Sequence, residues 1–416
     1  MFARTLALAV LVACLTCAKA AAGALAFSAD AGTSGDIAGL AERCYGCPAA
    51  PGHFDVEPWR KGQPGEYEVR WQSLIRTGYD RNDEAKAILF LPHVAGKRPA
   101  VVVLHSWRTR YAGSEKRLCR ALARSGLAAM LVQLPFHLGR APAGTESGDL
   151  MLTGDLSRTM LAWRQAVVDA RTALRFLASR PEVDQSRIGI AGVSLGAVLA
   201  AVCLGVEPDF RCGVLILGGG NLARALTESP VLRVVLRPLR KAITALPIED
   251  WSRPLDPVTY GPAARDRPVL MINGYHDIIV PPPCAQALWQ ALGRPEIRWL
   301  PTGHYGPGLV RGQINDLCAR FFSVAFGEAA GPLPRVCAPG IKVGLLLDST
   351  GPLRPTIGLE LARVGRRAWL DFSVRTNGLS LDLVRSIRAP LVAGLSLRRD
   401  GSRARLIPVV GLQVTL

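Results

Sequence analysis

Residues 187–201 read RIGIAGVSLGAVLAA: strand formers, a serine set between two glycines, then a string of helix formers. A single polar residue at the corner of an apolar strand-to-helix junction demands a reason. The stretch Gly192-Val193-Ser194-Leu195-Gly196 matches G-x-S-x-G, the signature of a sharp turn that lifts the serine out of the core. Gly192 and Gly196 have a mechanical duty there, because larger residues would collide with the adjoining strand and helix. The Ser194 hydroxyl then stands at the carboxyl end of a strand, where ligands of open α/β sheets bind. It is a group placed to react.

The chain on either side repeats the same grammar. EYEVRWQSLI and AKAILFLP read as opening strands, while PAVVVLHSW and LAAMLVQLP are continuous apolar runs of the kind buried on both faces. Helical patterns cover about 114–124 and 157–179, the latter with Leu161, Val168, Leu174 and Leu177 on its apolar side. CGVLILGG, RPVLMINGY and EIRWLP continue the strands, with a helix at CAQALWQALG and a last one near 309–326. Buried strands alternating with helices predict a mostly parallel sheet with helices on both faces. Residues 221–262 interrupt the alternation and carry Arg233, Arg237, Arg240 and Lys241 among Leu, Val and Pro. They predict an inserted cap, with a plain surface excursion as the alternative.

Two more residues fall at strand ends. Asp277 lies in NGYHDIIVPP and His304 in LPTGHYG, giving the chain order Ser, Asp, His. Upstream, His105-Ser106-Trp107 closes a strand at the place of an oxyanion loop. Unaided serine is a poor nucleophile, so an imidazole must take its proton during attack and a carboxylate must fix the imidazole's tautomer. His276 comes too early in this order and reads as a pocket or loop residue. Asp250 and Asp256 are reserve acids. Arg108 and Arg110 are either contacts for an anionic substrate or solvated surface groups, and His53, His93 and His137 read as ordinary or satisfied histidines.

With these motifs in view, residues 65–328 resemble the α/β-hydrolase superfamily, in its dienelactone-hydrolase-like and acetyl-xylan-esterase-like branch. The resemblance lies in EVDQSRIGIAGVSLGA, RPVLMINGYHDIIVPP and LPTGHYG. It implies Ser194 as nucleophile, His304 as general base, Asp277 as its orienter, and the N–H groups of Leu195 and Trp107 as oxyanion donors, with His105, Gly192 and Gly196 in support. It implies no metal and no cofactor. His105-Ser106 stands where His-Gly is common, which bears on the second donor. A serine nucleophile points away from dienelactone substrates, whose hydrolases use cysteine.

With 416 residues, 49% hydrophobic and 20% charged, the chain is long enough for a large core and a smaller unit. Its 50 Lys+Arg against 33 Asp+Glu give +17, which suits anionic surfaces. Neither zinc-finger spacing nor an aromatic-basic RNA motif occurs, so nucleic acid is not the expected partner. At the start, Arg4 precedes an apolar run over residues 6–15 and Ala18-Lys19-Ala20 offers a cleavage site, the pattern of a signal peptide over 1–20. LVAC, ending at Cys14, resembles a lipobox and provides a rival reading as a lipoprotein. Export to the periplasm or the outer membrane is the expectation, with an extracellular location as the further alternative. Eight cysteines remain after residue 20, among them the Cys44-x-x-Cys47 pair, a set that permits disulfides.

After a Gly/Ala/Pro-rich extension over 21–64 and the hydrolase-like domain over 65–330, the texture changes at 334–416. Period-two alternation in TIGLELAR, AWLDFSVR, GLSLDLVR, LVAGLSLR and RLIPVVGLQVTL, with turns at Thr376-Asn377-Gly378 and Asp400-Gly401, predicts a C-terminal antiparallel β-rich unit of about six strands. Six strands are fewer than the usual minimum of about eight for a closed membrane barrel. The expectation is therefore a soluble sheet whose apolar face packs on the hydrolase or on another copy, with outer-membrane association as the alternative. For function, the sequence predicts an exported hydrolase of small-molecule carboxylic esters acting through an acyl-enzyme. The rivals are a prolyl-oligopeptidase-like peptidase and a catalytically idle fold serving as an envelope module.

Overall fold

The computed structural model describes residues 36–46, 53–59, 65–238, 252–348, 351–364, 368–375, 378–388, 391–400 and 403–415. The N-terminal stretch with Arg4 and Cys14, where a signal peptide is expected, together with Cys47, Arg240, Lys241, Asp250, Asn377 and Gly401, lies outside them. Nine strands make the first sheet: β1 (Asp55–Pro58), β2 (Glu66–Gln72), β3 (Glu84–Phe90), β4 (Arg98–Leu104), β5 (Ala128–Val132), β6 (Val183–Val193), β7 (Phe210–Ile216), β8 (Val269–Gly274) and β9 (Glu296–Leu300). Their order is β1-β2-β3-β5-β4-β6-β7-β8-β9. Neighbours from β5 to β9 run parallel, and β1, β2 and β3 extend the sheet antiparallel.

Among the described residues the helices longer than one turn are α1 (Ile37–Tyr45), α2 (Gly113–Arg124), α3 (Leu156–Ala178), α4 (Leu195–Val206), α5 (Leu222–Glu228), α6 (Pro230–Val235), α7 (Pro282–Ala291) and α8 (Arg311–Ala325). They cover both faces, and β4 shows why its sequence is an unbroken apolar run. Val102 and Leu104 pack with Leu174 of α3 and Ala201 of α4, while Val101 and Val103 pack with Leu118 of α2 and Phe322 of α8. Each fully buried side chain of this size contributes roughly 1.5–3 kcal/mol by leaving water. The Asp155 carboxylate caps α3 by accepting the Arg158 N–H at 3.0 Å. Part of the segment read as an extension belongs to this domain. β1 pairs with β2, and the buried Tyr45 of α1 donates its hydroxyl to the Pro254 carbonyl at 2.7 Å.

The C-terminal strands β10 (Ile341–Asp348), β11 (Gly351–Val364), β12 (Ala368–Arg375), β13 (Gly378–Arg388), β14 (Leu391–Asp400) and β15 (Arg403–Thr415) form a closed barrel. β15 returns to pair with β10, with Leu345 opposite Leu412. This corrects the open-sheet expectation. Six strands suffice because the narrow interior is filled by its own side chains: Leu346, Trp369, Val384 and Val392 cluster there. Near one end Lys342 Nζ lies 2.8 Å from Asp371 and 3.0 Å from Glu360, and near the other Arg375 meets Asp382 at 2.7 Å. The expected packing on the hydrolase is corrected too, because the exposed apolar side chains are spread over all six strands.

Candidate active site

β6 ends at Val193 and α4 begins at Leu195, so Ser194 alone makes the turn. Its backbone sits at φ 54, ψ −117, a strained conformation for a residue with a side chain, typically costing about 1–3 kcal/mol. The glycines permit the close approach this turn needs. A Cβ on Gly192 would lie 2.1 Å from the Gly196 carbonyl, and one on Gly196 2.3 Å from the Leu104 carbonyl of the neighbouring strand. The Ser194 N–H is anchored on the Ile216 carbonyl at 2.8 Å.

Asp277 follows β8 and His304 follows β9, so both reach the same carboxyl rim of the sheet as Ser194. The His304 ring bridges the other two. Nε2 lies 2.9 Å from Ser194 Oγ, and Nδ1 lies 2.7 Å from Asp277 Oδ2. A carboxylate only accepts, so the proton belongs on Nδ1 and Nε2 is left with a lone pair toward the serine hydroxyl. Asp277 Oδ1 accepts the N–H groups of Ile279 at 2.8 Å and Val280 at 2.9 Å, which locks the carboxylate in place. Asp277 is 3% exposed.

The β4 loop faces Ser194 from the other side. Leu195 is the first residue of α4, so its N–H has no acceptor within the helix. Trp107 lies between two tethered neighbours: the Ser106 N–H donates to Glu115 Oε1 and the Arg108 N–H to His137 Nε2, each at 3.1 Å. Trp107 itself is held by its indole N–H on the Gly148 carbonyl at 2.9 Å. Below the loop, His105 Nε2 accepts the Leu134 N–H at 3.0 Å and its Nδ1 donates to the Ser106 carbonyl at 2.9 Å. The rings of His105 and His137 meet edge-to-face at 5.0 Å. Burial lowers the pKa of both below the ordinary histidine value. Both therefore serve as neutral acceptors of backbone N–H groups. His137, read from the sequence as an ordinary or satisfied histidine, is buried and satisfied, with its partner Arg108 29 residues away; Glu115, whose partner Ser106 is 9 residues away, was passed over.

The remaining candidates lie elsewhere. Asp256 accepts the N–H groups of Asn221, Leu222 and Val258, and the carboxylate bonded to His304 is that of Asp277. Arg108 pairs with Asp149 and stacks over Trp107, whereas Arg110 is exposed. His53 pairs with Asp55 at the surface and His93 is exposed. His276 is a loop residue, as read, but it is turned toward the barrel, where Nε2 meets Glu360. Cys119, Cys203, Cys212, Cys284 and Cys318 are buried free thiols. Among the described residues, no group of three or more His, Cys, Asp and Glu side chains could hold a metal ion.

Two cavities meet at Ser194. One, of about 120 Å³, is almost wholly apolar and is lined by Trp163, Val198, Leu226, Leu232, Leu236 and Val280. The cap residues of α5 and α6 form its roof. The other, of about 320 Å³, is a more polar cleft reaching Thr109, Glu115, His304, Tyr305 and Arg311.

The sheet order and the serine turn between β6 and α4 are those of the α/β-hydrolase fold. Comparison with known proteins supports this. The family model of acetyl xylan esterases matches residues 65–216, and that of the prolyl oligopeptidase family matches 161–300. An uncharacterised protein of Mycobacterium tuberculosis is 30% identical over 249 residues, 59% of this chain and 57% of its own. The chain thus spans little more than half of that relative. Esterase YjfP of Escherichia coli is 26% identical over 213 residues, 49% of this chain and 79% of its own. Among solved structures, acetyl xylan esterase 1 from Thermoanaerobacterium superposes with a TM-score of 0.57 at 19% identity, over 72% of this chain and 98% of that one. The superfamily resemblance seen in the sequence is borne out, and the fold is that of an α/β hydrolase.

Proposed function

We propose that the protein is an exported serine hydrolase that cleaves carboxylic esters through an acyl-enzyme. The observation that carries the reading is the pair of contacts at His304, 2.9 Å to Ser194 Oγ and 2.7 Å to Asp277. As Ser194 Oγ attacks the ester carbonyl, His304 Nε2 takes its proton and Asp277 stabilises the resulting imidazolium. The N–H groups of Leu195 and Trp107 face the oxygen that becomes negative, each such donor contributing on the order of 3 kcal/mol to the barrier. His304 then protonates the departing alcohol, and water activated by the same nitrogen releases the acid.

The apolar cavity takes the acyl group and the polar cleft the alcohol. The almost wholly apolar lining of the first cavity suits an aliphatic acyl chain. The acetyl xylan esterase match over 65–216 and the named esterase relative support an ester substrate. Export is supported by Arg4, the apolar run over 6–15 and Ala18-Lys19-Ala20. The test is labelling with a fluorophosphonate followed by peptide mapping, together with turnover of short-chain p-nitrophenyl esters. Modification at Ser194 and loss of both signals in Ser194→Ala are expected. A peptide substrate turned over faster than any ester would move the assignment to the peptidase reading, which the match over 161–300 favours.

A further inference from the structure

Beside a small apolar cluster, the C-terminal barrel buries charged side chains and exposes apolar ones, the reverse of a water-soluble surface. Its interior holds Lys342, Asp348, Asp371, Arg375 and Asp382, each buried, with Arg398 paired to Asp348 at 2.5 Å. Its outside is apolar: eighteen of the twenty-six large apolar side chains exposed on described residues stand on these six strands. Every strand contributes. Leu345, Ile357, Phe372, Leu383, Leu395 and Leu412, one from each, are between 41% and 60% exposed. A belt that runs round the whole circumference is not a docking patch, since a protein partner covers one side of a cylinder and leaves the other wet. It needs an apolar medium on all sides.

Closure meets the other demand of such a medium. Each strand is paired on both flanks, so no row of backbone N–H and C=O groups is left at an edge. Length fits as well, because the strands run 8–14 residues and about 9–11 tilted residues cross the hydrocarbon of a bilayer. Exposed Arg385 and Arg405 stand toward opposite ends of the belt, Arg385 opposite Ala368 at the start of β12 and Arg405 opposite Arg398 near the end of β14. Arginines so placed reach the polar interface from either margin. Among the described residues no helix is long and apolar enough to cross a membrane.

We propose that the barrel is a membrane-embedded anchor whose outer belt is surrounded by the acyl chains of a lipid bilayer, holding the hydrolase at the membrane surface. The full chain, purified in mild detergent, is mixed with vesicles of phosphatidylethanolamine and phosphatidylglycerol and floated on a density gradient. The wild type is expected in the floating fraction. Leu383→Asp with Leu395→Asp should lower that fraction on the order of tenfold or more, with esterase turnover in detergent retained. Leu395→Trp gives a second readout independent of any folding defect: its fluorescence should be quenched by vesicles containing dibrominated phosphatidylcholine. Two results overturn the proposal. One is a monodisperse, detergent-free monomer that does not float. The other is a discrete detergent-free oligomer that does not float, which would assign the belt to contacts between copies.

Discussion

His276 Nε2 lies 2.5 Å from Glu360 Oε2, although one residue immediately precedes Asp277 and the other belongs to β11 of the barrel. The His276 ring also sits edge-on to Trp369 at 5.0 Å, and its backbone N–H donates to the Thr302 carbonyl at 3.0 Å. The loops carrying Asp277 and His304 thus rest together on one end of the barrel. Glu360→Gln removes the charge shared by His276 and by Lys342 at 3.0 Å. Breaking a buried pair of this kind costs on the order of 3 kcal/mol. A lower thermal midpoint and a reduced kcat with little change in KM are expected, read by calorimetry and steady-state kinetics.

Gly303 makes the same junction without a side chain. A Cβ there would fall 2.0 Å from the Thr415 carbonyl of β15, so Gly303→Ala must push either the last strand or the His304 loop aside. A displacement near 1 Å at a reacting group costs on the order of a hundredfold in rate. Ester turnover of this variant should fall by about that factor while fluorophosphonate labelling slows in parallel. Unchanged kinetics would show that the junction yields elsewhere.

The loop after β4 has its own pH dependence. Burial lowers the pKa of His105 and His137 in the folded protein below the unfolded value of about 6.5, so the unfolded chain binds more protons in acid. The stability held in their neutral forms is fully present above about pH 6.5 and is lost as the pH falls through the lower folded values. Urea midpoints measured from pH 7.5 downward should therefore decline below pH 6.5. The decline should be shallower in His137→Leu. That variant also leaves the Arg108 N–H without its acceptor, a loss of roughly 1–3 kcal/mol, and should lower kcat more than it raises KM.

Val198 lies one turn along α4 from Ser194 and faces the apolar cavity. Val198→Phe fills a space of only about 120 Å³. Turnover of butanoyl and hexanoyl esters should drop at least tenfold relative to acetyl esters. An unchanged chain-length profile would place the acyl group in the polar cleft instead.

The parts of this architecture legible in the sequence are those written locally. Strand, turn and helix signals lie within fifteen residues around Ser194, and Asp277 and His304 each follow a buried strand directly, so their shared rim could be read from chain order alone. What escaped depends on contacts across long separations. His137 looked unremarkable because its acceptor role needs Arg108, 29 residues back, and His276 because its partner Glu360 is 84 residues on. The barrel was half legible. Alternation announced strands, but the number of strands a barrel needs depends on what fills it. A signal was present: Lys342, Asp348, Glu360, Asp371, Asp382 and Arg398 all share the phase opposite to the exposed leucines such as Leu345, Leu359, Leu383 and Leu397, with both signs of charge represented, as an interior of matched ions requires.

The packed inside of that barrel has one more consequence. With Leu346, Trp369, Val384 and Val392 at no more than 5% exposure and ion pairs toward either end, there is no bore for a solute to thread. Reconstitution in a planar film should register no current. If the proposed anchoring holds, the molecules cut would be set less by diffusion through the bulk than by what lies beside the bilayer.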